Sequence, residues 1–404
     1  MVRRRVLALV AGAAALYLIG TWSGDGLLPK AKDIAEVKLM RTMAVDKGEE
    51  NGLLLTVSGD VQKDSPDSQT RPPMILNQPA LTVFGGCTRL QENSEGDPEF
   101  GHLAECVVGE EYARRGIEDL ADFVERDVSM RMETKLFVVA GDTGEAALRG
   151  AASQNSAITD YLTSISKNPG LGGRNPWPYT MREYISQQED NGVALLPALT
   201  LEDNPDFDPS DREKQPEKIL KTAGFALFQE QRLTGFLTGE ESQGVSLLTG
   251  NDVLDAFEIT LKSGTVAGIR LIDTKCRYET RFAPDGTLEA VTLRLIVRGD
   301  LNQLTGAADP MDEETLREME QAFCAQIHTV SQAALSRSQR ENADFLHLRR
   351  ELVCRYPLHA TGLTEHWDTW FPNVALNVTV EGQIQRSYDI DRPAPEKEVR
   401  RGGE

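Results

Sequence analysis

Apolar and polar residues alternate in two neighbouring segments near the beginning of the chain. The first segment, 34–45, is rich in β-forming residues, and the second, 53–61, resumes the alternation after the polar, glycine-bearing turn 46–52. Alternation with a period of two places every second side chain on the same face of a strand. The pattern therefore predicts that the two segments pair as a β-hairpin.

Strand-like and helix-like patterns then alternate through the N-terminal half. Segments 102–108 and 135–140 are short and apolar, which predicts strands, whereas 110–124 repeats its apolar residues at helical spacing. Asp142, with Glu145 three residues later, predicts the N-terminal cap of a further helix. Such alternation is typical of a mixed α/β or α+β domain.

The C-terminal half is predicted to contain a β-rich segment followed by helices. Residues 257–298 predict several strands joined by a Pro-Asp-Gly turn. Asp309 is predicted to cap a long helix with Pro310 at its first position. The apolar stripe of this helix comprises Leu316, Met319, Phe323, Ile327, Val330 and Ala334. A second helix over 343–355 and a strand over 374–384 complete the pattern.

An acidic, proline-bearing stretch divides the two halves. Residues 201–217 contain almost no apolar positions, which is typical of an interdomain linker. We therefore predict an α+β protein of two to three mixed α/β domains, whose sheets are mainly antiparallel or mixed. The predicted segments are a signal or membrane anchor at 1–22, an N-terminal α+β domain at 30–200, the linker at 201–217, a small middle domain at 218–256, a C-terminal α+β domain at 257–390 and a disordered tail at 391–404.

The N-terminal segment has the composition of an export signal or a membrane anchor. Arg3, Arg4 and Arg5 precede an uncharged, almost wholly apolar run at 6–20. A helix through Trp22 would span only about 25 Å, which is short for a bilayer core, although a tryptophan at the interface extends it. The arginines favour a cytoplasmic N-terminus and an exported body. Both an uncleaved tether and a cleaved secretory signal fit this pattern.

The charge of the chain argues against nucleic acid as a partner. Its 404 residues include 43 lysines and arginines and 63 aspartates and glutamates, which gives a net charge of −20. That charge repels phosphate backbones. It also keeps the body of the protein away from anionic lipid unless a segment tethers it.

Motifs for catalysis, metal binding or cofactor binding are missing from the sequence. The five histidines form neither HxxxH nor HExxH, the five cysteines form no CxxC pair, and GxSxG does not occur. The glycine-rich segment 170–173 lacks the Lys-Ser/Thr that a phosphate-binding loop requires. We therefore predict that the protein is not an enzyme and has no catalytic residue, metal or cofactor.

An aromatic cluster near the C-terminus is a candidate contact site. Trp367 and Trp370 lie three residues apart, on the same face of a short predicted helix, and Phe371 follows them. Burial against the sheet is the favoured role for this cluster, and contact with a partner or a ligand is the alternative.

Four segments, in chain order, resemble a known family. They are DIAEVKLMRTMAVDKGEENGLLLTVSG, GHLAECVVGEEYARRGIEDLADFVERDVSMRMETKLFVVA, GFALFQEQRLTGFLTGEESQG and ENADFLHLRRELVCRYPLHATGLTEHWDTWFPNVALNVTVEG. Together they resemble the Ger(x)C family of spore germination proteins over nearly the whole chain. The matching residues are His102, Gly109, Glu110, Glu111, Arg126, Asp127 and Arg131 in the second segment, and Asn342, Asp344, Tyr356, Pro357, Trp367, Phe371 and Pro372 in the fourth.

The resemblance implies a non-catalytic, three-domain α+β subunit on the extracytoplasmic face of the spore inner membrane. Members of this family are C-subunits of nutrient germinant receptors and work with a larger A-subunit and a polytopic B-subunit. The family normally has a lipidated cysteine before a tryptophan, whereas this chain has Thr21 before Trp22. Because threonine has no thiol, the apolar segment alone would hold the protein at the membrane. A second departure is Leu348 and Arg349, where the family usually has glycine.

Two other functions stay open at the level of the sequence. A small-molecule binding module would line a pocket with Trp367 and Trp370 or with the Gly/Pro-rich loop 167–179. An exported hydrolase of unrecognised type would need a nucleophile and a base that the fold brings together. The leading hypothesis is the receptor subunit, which acts by docking and has no turnover of its own.

Overall fold

The computed structural model describes most of the chain apart from its two ends and several internal segments. The described residues are 5–6, 10–14, 37–59, 62–63, 70–94, 96–152, 157–167, 179–211, 216–249, 255–306, 308–310 and 312–385. Residues 5–6 and 10–14 are helical, and the rest of the predicted anchor 1–22, including Thr21, lies outside the described residues, as does the predicted tail 391–404. None of the helices that the described residues form has the length and hydropathy needed to cross a bilayer.

The first part of the described chain forms a large mixed sheet. In chain order its strands are β1 (Val37–Lys47), β2 (Leu53–Gly59), β3 (Gln62–Lys63), β4 (Thr70–Arg71), β5 (Ile75–Ala80), β6 (Asp97–Glu99), β7 (Glu105–Gly109), β8 (Lys135–Val139), β9 (Val193–Asp203), β10 (Lys218–Gln229) and β11 (Arg232–Leu237). β3 pairs with β4, and the other strands form one sheet in the order β11–β10–β9–β8–β7–β1–β2–β5, with β6 beside β1. β1, β7, β8 and β9 run parallel, so their carboxyl ends meet at one edge.

The predicted hairpin is confirmed. β1 and β2 pair antiparallel in a register that ends with Lys47 opposite Leu53. Gly48 begins the turn, and a β-carbon there would lie 2.8 Å from the backbone of Leu53, so the tight return of the chain requires glycine. Met43, Val45, Leu55 and Val57 are buried, and so is Ala44 on the opposite face of β1, because helices cover both faces of the sheet.

Helices cover both faces of this first sheet. In chain order they are α1 (Val83–Asn93), α2 (Glu110–Arg115), α3 (Glu118–Arg126), α4 (Gly144–Gly150), α5 (Ile158–Lys167) and α6 (Met181–Asn191). Side chains of α1, α2, α3 and α6 share an apolar cluster with Val108, whereas those of α4 and α5 share one with Val107. Because neighbouring residues of a strand face opposite ways, the two clusters lie on opposite faces of the sheet.

Two helix predictions in this half are wrong in detail. The single helix predicted over 110–124 is divided at Gly116, whose φ of 125° lies outside the helical range. Asp142 is not the N-cap of α4, because the side chain of Thr143 accepts the hydrogen bond from the Ala146 N–H at 3.0 Å. The strands predicted at 102–108 and 135–140 are confirmed as β7 and β8, with slightly different ends.

The second part of the chain forms a smaller sheet with its own helices. Its elements are α7 (Gly239–Thr249), β12 (Ala256–Thr260), β13 (Val266–Phe282), β14 (Leu288–Thr305), α8 (Glu313–Arg340), α9 (Leu348–Arg355), α10 (Ala360–Trp370) and β15 (Ala375–Gln385), with a short 3-10 turn at Pro357–His359. Another 3-10 turn, Pro209–Asp211, lies between β9 and β10. The sheet order is β12–β13–β14–β15, and β15 runs parallel to β14. The predicted apolar stripe of α8 packs against this sheet through buried residues that include Met319, Phe323 and Ile327.

Two helix starts in this half differ from the prediction. Asp312, and not Asp309, is the N-cap of α8, because its carboxylate accepts a hydrogen bond from the Thr315 N–H at 2.9 Å. α9 begins at Leu348 and not near 343, because the Asp344 carboxylate binds the first N–H groups of the helix.

The two parts of the chain share a sheet and a core. β9 and β10 pair from Val193 opposite Gln229 to Asp203 opposite Lys218, so the predicted linker 201–217 connects two neighbouring strands. Residues of β9, β10 and β11 also share an apolar cluster with α7, α8 and the second sheet. The α+β class with mixed sheets and more than one structural unit is confirmed, and the division into three domains stays a prediction.

Candidate functional site

The predicted aromatic cluster lies at the end of α10 and is mostly buried. Trp367 and Phe371 are 3% and 1% exposed, and their ring centroids lie 5.3 Å apart. The burial predicted for these two residues is confirmed. Trp370 is only partly buried, and its ring lies 5.4 Å from that of His366. Trp370 is therefore the member of the cluster that a partner could reach, and a contact role for the three residues stays a prediction.

A second aromatic group lies at the start of the same helical segment. Phe282, at the end of β13, stacks on His359 at a centroid distance of 3.8 Å and meets Tyr356 edge-on at 5.4 Å. Leu358, which lies between these two partners in the sequence, is 97% exposed. The Tyr356–Pro357 landmark therefore anchors a turn that carries an apolar side chain into solvent.

A cleft of about 550 Å³ lies at the carboxyl ends of the parallel strands β1, β7 and β8. Its lining residues are Asp46, Lys47, Gly109, Glu110, Glu111, Tyr112, Arg114, Gly141, Asp142 and Thr143. This edge is where open sheets with parallel strands usually bind ligands. The cleft was not predicted from the sequence, because its residues come from three segments that only the strand order brings together.

Asp46 is the buried centre of the cleft wall. Its carboxylate accepts hydrogen bonds from the backbone N–H groups of Gly144 at 2.7 Å and Glu145 at 2.8 Å. Burial raises the pKa of Asp46, while the two backbone hydrogen bonds oppose that rise. A β-carbon on Gly109 would overlap the Asp46 carboxylate, so this landmark glycine makes room for the aspartate.

Four of the other five charged groups of the cleft form two ion pairs with one another. Glu110 pairs with Arg114 at 2.7 Å and accepts a hydrogen bond from the Gly141 N–H at 2.6 Å. Lys47 pairs with Glu111 at 3.1 Å. Within the described residues, no group of three or more His, Cys, Asp and Glu side chains is placed to hold a metal ion. A polar ligand or a partner segment in the cleft would meet charged side chains that already pair with one another.

A polar cluster joins the end of α6 to the start of α9. Asp190 accepts a hydrogen bond from Arg349 through its backbone carbonyl, and its carboxylate lies 3.0 Å from His347 Nδ1 and 3.3 Å from the Arg349 guanidinium. The Asn191 side chain donates to the Asp344 carbonyl at 2.8 Å. Arg349, one of the departures from the family pattern, therefore ties the two parts of the molecule together.

The landmark residues near this cluster have a structural explanation. Asp344 is buried, and its carboxylate accepts hydrogen bonds from the N–H groups of Leu348 at 2.8 Å and Arg349 at 2.9 Å. Burial raises the pKa of Asp344 despite these two bonds. Asn342 has a left-handed φ of 47°, a conformation that asparagine tolerates better than most residues. An Asn-x-Asp sequence at this turn thus sets the backbone and caps the next helix.

Two family models and one solved structure match this chain. The model of the spore germination protein N-terminal domain matches residues 30–201, and that of the spore germination B3/GerAC-like C-terminal region matches residues 223–388. The crystal structure of the GerBC protein superposes with a TM-score of 0.52 and 14% identity, covering 85% of this chain and 96% of that chain. No curated protein matches the sequence. Since the two family models together cover most of the sequence, the chain belongs to the GerAC-like, or Ger(x)C, family of spore germination proteins.

Proposed function

We propose that the chain is the non-catalytic C-subunit of a spore nutrient germinant receptor and acts in germination by assembling with A- and B-subunits. The observation that carries the proposal is the match of both family models, in order, to the two parts of one chain.

The proposal places the body of the protein on the extracytoplasmic face of the spore inner membrane. Residues 1–22 would hold it there as an uncleaved segment, and the arginines at its start favour this orientation. Thr21 has no thiol for a lipid, so the apolar segment itself would be the anchor. The body would consist of the three predicted domains at 30–200, 218–256 and 257–390.

The experiment that tests the assembly is co-purification from spore membranes. A tagged full-length chain should recover a polytopic membrane partner together with a second large subunit. Recovery of the intact chain alone, from the soluble fraction, would contradict the proposal. Loss of the gene should slow germination in response to at least one nutrient.

Trp370 is the contact residue that this experiment can test most directly. The Trp370→Ala variant should reduce recovery of the partner several-fold, because it removes accessible aromatic surface from α10. Asp368→Ala changes an exposed residue of the same helix and is the matched control. Equal recovery with both variants would show that Trp370 is not part of the interface. That result would not contradict assembly with the other subunits.

A second candidate function is a nutrient-binding module, and the position of the cleft favours it. The carboxyl ends of parallel strands are a common ligand site, and both signs of charge line this one. Calorimetry of the full-length chain with amino acids and sugars should then detect binding that Glu110→Gln weakens. Absence of heat with every nutrient would leave docking as the single proposed role.

A further inference from the structure

A buried carboxylate lies at the opposite edge of the first sheet from the cleft. Glu105 is the first residue of β7 and is 1% exposed. The Thr42 hydroxyl lies 3.5 Å from its carboxylate and the Thr163 hydroxyl 3.4 Å. Both distances are at the long end for hydrogen bonds, so a charged carboxylate here receives little stabilisation in exchange for the water that it has lost.

The same threonine residues join α5 to the sheet. The Thr159 hydroxyl, one turn before Thr163 on α5, lies 2.6 Å from the Thr42 hydroxyl on β1. Ile158 and Leu162 of this helix are fully buried in the apolar cluster on that face. Glu105 therefore contacts α5 beside the apolar side chains that pack this helix on the sheet.

The positive charges near Glu105 do not offset the free-energy cost of burying its carboxylate. Arg41 on β1 and Lys135 on β8 are the charged groups of the neighbouring strands that act on it, while α5 presents the Thr159 and Thr163 hydroxyls. Burial raises the pKa of Glu105 to about 7, because lost hydration outweighs the attraction of the two cations and the two hydroxyl contacts. The carboxyl thus changes its charge close to neutral pH.

We propose that Glu105, Thr42, Thr159 and Thr163 form a proton-controlled clasp, which holds α5 on the sheet when the carboxyl is protonated and releases it when the carboxylate forms. A protonated carboxyl donates to one threonine hydroxyl and accepts from the other. A carboxylate only accepts, and opening of α5 returns it to water. The clasp is a property of this chain by itself and goes beyond its role in a receptor.

Hydrogen exchange of the full-length chain in mild detergent tests the clasp. Protection of α5, corrected for the intrinsic effect of pH on exchange, should fall by more than about tenfold between pH 5.5 and 8.5. Protection of α3 on the opposite face should stay constant. Glu105→Gln, which keeps the shape and removes the charge, should leave α5 protected at both pH values.

Glu111→Gln is the matched control, because Glu111 is an exposed glutamate outside the clasp. This variant should show the same fall in protection as the unmodified chain. Constant protection of α5 in the unmodified chain would overturn the proposal, and so would an unchanged fall in Glu105→Gln.

Thr163→Val provides a second test if Glu105→Gln does not fold. It keeps the carboxyl and removes the helix hydroxyl, so α5 should already lose protection at pH 5.5. The fall between pH 5.5 and 8.5 should become smaller. The full tenfold fall in Thr163→Val would contradict a clasp that acts through this hydroxyl.

Discussion

The two edges of the parallel strands in the first sheet hold buried carboxylates in different ways. At the carboxyl ends, Asp46 receives two backbone N–H groups at 2.7 and 2.8 Å. At the amino ends, Glu105 receives threonine hydroxyls at 3.4 and 3.5 Å. Backbone donors at a helix start are fixed in place, whereas hydroxyls rotate and can also accept. The comparison indicates that fixed backbone donors favour the ionised form of Asp46, whereas the contacts of Glu105 suit either protonation state.

The largest effect is expected from closing the space beside Asp46. Gly109→Ala puts a methyl group where the Asp46 carboxylate lies, so the aspartate must leave its two N–H partners. We expect the free energy of unfolding to fall by about 3 kcal/mol, measured by urea denaturation. Gly268→Ala is the control, because its nearest neighbour would lie at 3.5 Å. An equal loss in both variants would mean that Asp46 needs no such space.

The next largest effect is a change of the free energy of unfolding with pH, which we attribute to Glu105. Below about pH 4.5 the carboxyl is protonated in both folded and unfolded chains, and above about pH 7 it is ionised in both. Between these values only the folded chain keeps the proton, so the free energy of unfolding falls as pH rises, by roughly 3 kcal/mol in total. Comparison of Glu105→Gln with the unmodified chain across this range isolates the contribution. If the free energy of unfolding changed with pH equally in the two proteins, Glu105 would not be the source of the pH dependence.

A smaller loss is expected when Asp46 itself is removed. Asp46→Ala leaves the N–H groups of Gly144 and Glu145 without their acceptor at the start of α4, which costs about 2 kcal/mol in thermal or urea unfolding. The control is Glu111→Ala, which breaks the exposed pair with Lys47 and should cost about 0.5 kcal/mol or less. Equal losses would show that the buried Asp46 carboxylate stabilises the fold no more than the exposed ion pair does.

The smallest effect concerns the polar cluster between the two parts of the chain. Arg349→Lys keeps the charge but loses the planar guanidinium that binds both the Asp190 carbonyl and its carboxylate. We expect a loss of about 1 kcal/mol in urea unfolding. Arg350→Lys, at the exposed neighbouring position, should leave stability unchanged. A neutral result at Arg349 would indicate that the shared apolar core alone joins the two parts.

Local patterns were enough to predict much of the fold. The hairpin, the strands β7, β8 and β15, and the apolar stripe of α8 each follow from residues that are neighbours in the sequence. The errors occurred where two residues compete for one role, as Asp309 and Asp312 do for the start of α8. Gly116 is a visible signal for a break between α2 and α3, and its positive φ of 125° is a conformation that glycine adopts readily.

For the candidate sites too, local features were predictable from the sequence and long-range contacts were not. The burial of Trp367 and Phe371 was predictable, because their spacing and size are properties of one helix. The cleft was not, because Asp46, Gly109 and Asp142 meet only once the strand order is known. Glu105 could have been noticed as a single carboxylate at the start of an apolar strand, but its threonine partners lie about sixty residues away on each side.

The ladder between β9 and β10 crosses the gap between the two family models, since most of β9 lies in the first match and the second half of β10 in the second. If the two halves were produced as separate polypeptides, each would carry a long strand with an open hydrogen-bonding edge and an uncovered apolar surface. Such edges bind to whatever strand is available, so the isolated halves should aggregate when alone. Mixed together, they should recover a folded complex by fragment complementation, each half serving as the template for the other.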